Sequence, residues 1–431
     1  MDAGSREKER IAEAERAAQE RLALAVARLT EETRPLGQIW EDKARENGAK
    51  TFLLFEEQRI GYDLFNERVN RVANGLLGLG IRRSDKVAAM LPNSPEMLYA
   101  LFGAIKIGAI LVPVNTALKG DGLAYIVNQS DAAILIVSQE WMDRINFVRS
   151  QLGALRNVVV ENGGKAAEVG QIAGSLDFCT LLEASPRCPS TETALTDDAE
   201  IIYTSGTTGV PKGVLWAQSN LVATGLLFSA LCDYTAKDVL YTCLPLYHAA
   251  SQSLTVMAAL AVDATVALSR RFSASRFWDE VRTCGATAIN HIGAMIPILC
   301  KQPERSGDAD IGVRISLGPG APKELWDYFE KRFGLQIVEY YGSTEGGGTM
   351  NVPGGKPGSV GKPMPVNEVR LVDDQFNDVP PGVPGEFVSR PVGTTLGFRG
   401  YYGMPEATAE KFKDGWLCSG DYLYRDEEGY F

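Results

Sequence analysis

Between residues 62 and 342 helix-like and strand-like segments alternate, and that alternation restricts the fold more than any other feature of the chain. Phe65, Val69, Val72, Leu76 and Leu79 recur at three- and four-residue steps, the mark of one helix face, and Gly80 ends the run. "KVAAML", "AILVPV" and "AAILIVS" are short and apolar throughout, as strands buried on both faces are, and "EMLYALFGAIKIG" reads as a helix among them. After residue 196 the pattern resumes with strands "EIIYTS" and "VLYTCLPL", a helix over 251–260, strand "ATVALS", a helix over 274–283 and strand "ATAIN". A helix over 294–301, strand "VRISLG", a helix over 322–333 and strand "QIVEYY" complete the series. Short apolar runs between helices predict an α/β fold with parallel, doubly wound sheets, and a series this long predicts two of them.

The ends of the chain read differently. Ile11, Ala14, Ala18, Leu22, Val26 and Leu29 predict an amphipathic helix over 5–30, packed on the body and ended by Pro35. From residue 351 the chain is dense in Pro and Gly with short alternating runs, which predicts a small antiparallel, barrel-like β unit. The expected organisation is a helical extension over 1–36, a first α/β subdomain over 37–195, a second over 196–350 that carries the nucleotide site, and a β-rich subdomain over 351–431.

Composition narrows the function. The net charge of -11, from 43 basic and 54 acidic residues, argues against a nucleic-acid partner. Seven cysteines lie scattered with no CxxC pair, as free thiols of a reducing cytosol do. Two histidines, His248 and His291, are too few for the usual His/Cys zinc site. The first 34 residues contain no apolar signal core, and the longest apolar stretch is broken by Gln252 and Asp263. A cytoplasmic protein with no integral membrane segment is expected.

The chemistry is concentrated first at "DAEIIYTSGTTGVPKGVLWAQ", from residue 198. An apolar run delivers the hydroxyls of Thr204, Ser205, Thr207 and Thr208, the glycines Gly206 and Gly209, and then Lys212. Glycines let backbone amides approach an anion, hydroxyls add donors, and a lysine neutralises phosphate as a point charge. No Gly-Lys-Ser/Thr follows the glycines, so this is not the P-loop pattern.

"YTSGTTGVPKG" resembles the signature loop of the adenylate-forming superfamily, which includes acyl-CoA synthetases, adenylation domains of peptide synthetases and luciferases. The likeness extends over residues 37–431 through further motifs in order. "LPLYH" ends in His248, which the resemblance puts at the mouth of a carboxylate pocket. Adenylation domains that take amino acids typically carry Phe-Asp there, whereas this chain has Tyr247-His248, so an acid without an α-amino group is expected. "SLGPGAP" resembles the family's adenine-contacting turn, with Gly320, Ala321 and Pro322 against the base and Pro319 as a departure. In "EYYGSTEGG" the resemblance stacks Tyr341 on adenine beside Gly342, sets Thr344 on the α-phosphate and makes Glu345 a Mg²⁺ ligand together with Thr204. In "GWLCSGD" it assigns Asp421 to the ribose hydroxyls.

The resemblance implies ATP-dependent activation of a small carboxylic acid to acyl-AMP, with Mg²⁺ as cofactor and CoA as the second substrate. Lys212, Thr344, Glu345 and His248 are the implied catalytic set. The segment 290–299 and the helix after His248 are expected to line an apolar acyl pocket, and their wording is similar to carnitine- and crotonobetaine-type ligases. Adenylation for transfer to a carrier protein is the alternative enzyme reading, and a nucleotide sensor that has kept the fold is the alternative outside enzymes. Loss of Lys212, Glu345 or Asp421 would mark the sensor, and all three are present. Related enzymes are often homodimers. Relatives also continue into a smaller C-terminal lid domain that bears a further lysine, so a chain ending at "DEEGYF" is expected to adenylate weakly alone.

Overall fold

The computed structural model describes residues 3–165, 174–204, 209–392 and 396–431. Two large sheets, joined by shared helices, form the body. One has seven strands in the order Ser175–Asp177, Asn157–Glu161, Ala132–Ser138, Lys86–Met90, Ile110–Pro113, Asp198–Thr204 and Lys212–Ala217. All neighbours are parallel except the last pair, in which Lys212–Ala217 folds back antiparallel on Asp198–Thr204. The other has nine strands, with Gln336–Gly342, Ile315–Gly318, Ala288–Asn290, Val239–Thr242, Thr265–Leu268 and Thr51–Phe55 parallel in its centre.

The expected division at residues 195/196 is crossed in both directions. Asp198–Thr204, which leads into the glycine-rich loop, belongs to the first sheet, and Thr51–Phe55 joins the second. Periodicity reports that a strand is buried, not which strand it pairs with, so sheet membership was invisible to the pattern. A third, antiparallel sheet of Asn367–Val372, Gly385–Pro391, Trp416–Leu423 and Phe412–Lys413 forms the small β unit.

The largest apolar core runs between the two sheets through the helices Tyr62–Gly78, Pro95–Lys106 and Gln218–Leu231. Its aromatic centre stacks Trp40 on Phe65 at 4.8 Å and sets Phe52 edge-on to Trp40 at 4.8 Å. The N-terminal helix, Ala3–Glu31, buries Ala18, Leu22, Ala25 and Leu29, and Arg21 Nε donates to Ala230 O at 2.8 Å. Its other side reaches the chain end: Tyr430 donates to Glu15 at 2.7 Å and Lys362 pairs with Glu15 at 2.8 Å.

Candidate functional site

The strand Gln336–Gly342 organises the site. Successive side chains of a strand point to opposite faces. Tyr340 accordingly lines one concavity and Tyr341 another. The Tyr340 concavity, of about 200 Å³, is also lined by His248, Gly342, Thr344 and Glu345. Its further walls are Trp216 and Phe228, the helical residues Ala249, Ala250, Ser253 and Leu254, and Phe398. The Tyr341 groove contains Asp421 and Lys323, and the Tyr341 hydroxyl donates to Asp421 Oδ2 at 2.7 Å. Burial first, then Asp421, pushes the Tyr341 phenol well up, so it stays a donor at neutral pH.

The turn after Ile315–Gly318 is set by close packing and one carboxylate. A Cβ on Gly318 would lie 1.9 Å from His291 O, and Gly320 has φ +85°, so both positions require glycine. Glu339 accepts from the Gly320 N–H and, at 2.8 Å, from the Ala321 N–H. Burial pushes Glu339 up to about 7, and the two backbone donors act against that rise by favouring the ionised form. Pro322 precedes the helix Lys323–Phe333.

Ser205, Gly206, Thr207 and Thr208 lie outside the described residues. Thr204 ends its strand and pairs in register with Lys212, and Gly209 has φ +85°. Lys212 Nζ sits 5.1 Å from the centroid of the Tyr401 ring, and the Tyr401 hydroxyl donates to Glu345 Oε1 at 2.7 Å. One aromatic side chain thereby links the loop lysine to the signature glutamate. Trp216 Nε1 donates to Thr344 O at 2.8 Å and fixes that turn from below. His248 starts the helical segment 249–261, its Nδ1 accepting from Ala250 N at 3.4 Å. The cavity walls desolvate the ring and lower its pKa, which favours neutral imidazole.

The helix after His248 lines the cavity as expected, but none of residues 290–299 is among its walls. Gly293 of that segment packs against the Gly320 turn, where an added Cβ would lie 2.3 Å from Gly320 O, while Ile292 and Ile298 are exposed. The motifs did not point to Glu339 or Tyr401. A glutamate inside the apolar run "QIVEYY" is the local signal for the first. Nothing local marks Tyr401, whose partners are distant in sequence.

A magnesium site fits the donor types. Glu345 and the Thr204 and Thr344 hydroxyls are hard oxygen donors. No group of three His, Cys, Asp or Glu side chains among the described residues could cage a metal. Hard oxygen donors such as Glu345 and Thr204 suit a cation that takes phosphate oxygens and waters as its other ligands.

Comparison with known proteins agrees with this geometry. The family described as AMP-binding enzyme matches residues 40–402. A crotonobetaine/carnitine–CoA ligase of Citrobacter koseri is 34% identical over 411 residues, covering 92% of this chain and 78% of that protein. The structure of the anthranilate CoA ligase AuaEII with anthranoyl-AMP superposes with a TM-score of 0.84 at 25% identity, covering 92% of this chain and 77% of that one. A putative long-chain-fatty-acid CoA ligase from Rhodopseudomonas palustris gives 0.82 at 25% identity, covering 92% of this chain and 98% of that one.

Proposed function

This chain belongs to the AMP-binding enzyme family, and from that premise we propose that its two concavities hold the two halves of an acyl-adenylate. The enzyme is an AMP-forming acid–thiol ligase. A carboxylate oxygen attacks the α-phosphorus of ATP, and the bond to pyrophosphate breaks. The CoA thiolate then attacks the acyl carbonyl, and AMP leaves.

The observation that carries the assignment of the cavities is the strand Gln336–Gly342, which turns Tyr340 to one of them and Tyr341 to the other. On this reading adenine lies between Tyr341 and the Gly320-Ala321-Pro322 turn, and ribose hydroxyls replace Tyr341 on Asp421. The acid occupies the apolar side, with its carboxylate toward His248 and Thr344. Neutral His248 can hydrogen-bond a carboxylate without forming an ion pair that would blunt the nucleophile. Lys212, aligned over Tyr401, bears on the phosphates that leave. Thr204 and Glu345 would hold Mg²⁺, which when bound neutralises phosphate charge. The protein contributes chiefly positioning and charge complementarity.

The walls suit an aliphatic or aromatic acid of modest size, and carnitine, crotonobetaine and anthranilate are the first acids to test. The chain contains no described helix long and apolar enough to cross a membrane. A cytoplasmic site of action and a homodimer are the expectations that go with this reading.

Acid-dependent ATP–pyrophosphate exchange over a broad acid panel, on the chain joined to the C-terminal lid domain that relatives carry, tests the reading. Exchange with at least one acid is expected, and none with any acid would favour a nucleotide sensor. Lys212→Ala should slow exchange roughly 100-fold. Thioester formation from supplied acyl-adenylate should change far less, and equal losses in both steps would refute the lysine's role.

A further inference from the structure

The strand that carries the phosphate loop and the helix that walls the acid cavity meet at a buried polar contact which the chemistry above does not use. Glu200 lies within Asp198–Thr204 and is 0% exposed. Its Oε1 accepts from Gln252 Nε2 at 3.0 Å. The same amide donates to Leu246 O at 2.8 Å, two residues before His248. Leu246 N donates to Asn93 Oδ1 at 2.8 Å, and Asn93 Nδ2 donates to Leu244 O at 2.9 Å. Ser251 Oγ closes the turn on Pro245 O at 2.5 Å. The segment that presents His248 is therefore held from both sides, and Glu200 ties it to the loop strand.

Gln252 also opens a π-helical turn, Gln252–Met257. Such turns are rare and are frequent at functional sites. Ser253 and Leu254 of this turn line the acid cavity, so whatever sets its geometry sets that wall.

Glu200 Oε2 and Gln252 Oε1 are buried with no partner among the described residues. A buried carboxylate with one donor is costly, and a proton on it removes the charge and turns one orphan acceptor into a donor. Burial raises Glu200 to about 8, opposed only by the Gln252 amide. Its sheet neighbours, Leu111 and Trp216, are uncharged, and on its own strand Asp198 is paired with Arg399 at 2.8 Å.

We propose that Glu200 is a positioning residue for adenylation: as the neutral acid it joins the phosphate-loop strand to the turn that presents His248, so nucleotide grip and acid presentation depend on one buried contact. This rests on the adenylation reading above.

The test measures ATP–pyrophosphate exchange from pH 6 to 9.5 on the chain joined to that lid domain, native and Glu200→Gln, with thermal unfolding alongside. Glutamine imitates the protonated acid and cannot ionise. The native enzyme is expected to lose exchange above pH 8, and Glu200→Gln is expected to retain exchange at pH 7 and to lack that alkaline decline. Glu200→Ala, which breaks the link, should raise KM for ATP and for the acid together by about tenfold. A role in folding alone would leave the alkaline limb of Glu200→Gln like the native one, and that result overturns the proposal even if Glu200→Ala does not fold. Exchange in the native enzyme with a superimposable limb in Glu200→Gln would sink this inference alone, whereas no native exchange with any acid would sink it together with the adenylation reading.

Discussion

Glu200 and Glu339 occupy comparable places, each in a strand that leads into a turn proposed to contact nucleotide, but they are satisfied differently. Glu339 accepts from two backbone N–H groups of the turn it serves, and burial lifts it only to about 7. Glu200 accepts from one side-chain amide across a sheet–helix boundary and rises to about 8. More donors favour the ionised form and fewer leave burial in control. The first carboxylate fastens a turn by accepting, and the second fastens two elements by remaining neutral.

The harshest way to break the comparison is Glu339→Ala, which leaves the Gly320 and Ala321 N–H groups unsatisfied. It should cost about 2–4 kcal/mol in urea unfolding and weaken nucleotide binding. An unchanged denaturation midpoint would show that the carboxylate does not hold the turn. The amide substitution sharpens the contrast because the two sites should respond with opposite sign. Glu339→Gln turns an NH₂ toward a backbone donor and should lose about 1–3 kcal/mol, whereas Glu200→Gln should stabilise the protein at pH 8.5. Like signs at that pH would remove the distinction.

The pH dependence has a definite direction. Both pKa values are raised from 4.5. The stability associated with protonation is therefore complete below about pH 4.5 and is lost as pH rises through about 7 for Glu339 and about 8 for Glu200. The native melting temperature should drift down between pH 5 and 8, and Glu200→Gln should flatten the upper part of that drift. A parallel curve for the variant would locate the titration elsewhere.

Smaller effects bound the comparison from below. Tyr401→Phe removes one hydrogen bond to Glu345 and should slow adenylation about tenfold while shifting stability by less than about 1.5 kcal/mol. A rate equal to native would mean that the Lys212–Tyr401–Glu345 alignment is incidental. Lys8→Ala breaks an exposed ion pair to Glu428 at 3.2 Å and should change stability by no more than about 0.5 kcal/mol.

Much of the fold was legible because its strands are short, apolar and buried on both faces. "KVAAML", "AAILIVS" and "VRISLG" all form strands of parallel sheets. The helix after His248 was likewise readable, and it lines the cavity proposed for the acid. The π-helical turn within it was not, because an apolar run such as "SLTVMAAL" fits either helical period. The expected lining by 290–299 failed for a related reason. Apolar character does not report which surface a side chain meets: Met295, Ile296 and Leu299 are buried in the core, Gly293 packs against the Gly320 turn, and Ile292 and Ile298 are exposed.

By itself the sequence determined the element types, the order of the motifs and the chemical character of the donors, because periodicity and glycine placement are local properties. Tertiary structure alone decided that the strand Asp198–Thr204 belongs to the first sheet, that Tyr401 links Lys212 to Glu345, and that Glu200 faces Gln252. Those relations join residues 52 to 189 positions apart. A buried carboxylate takes its properties from whichever donor the fold brings to it, and no local pattern encodes that partner.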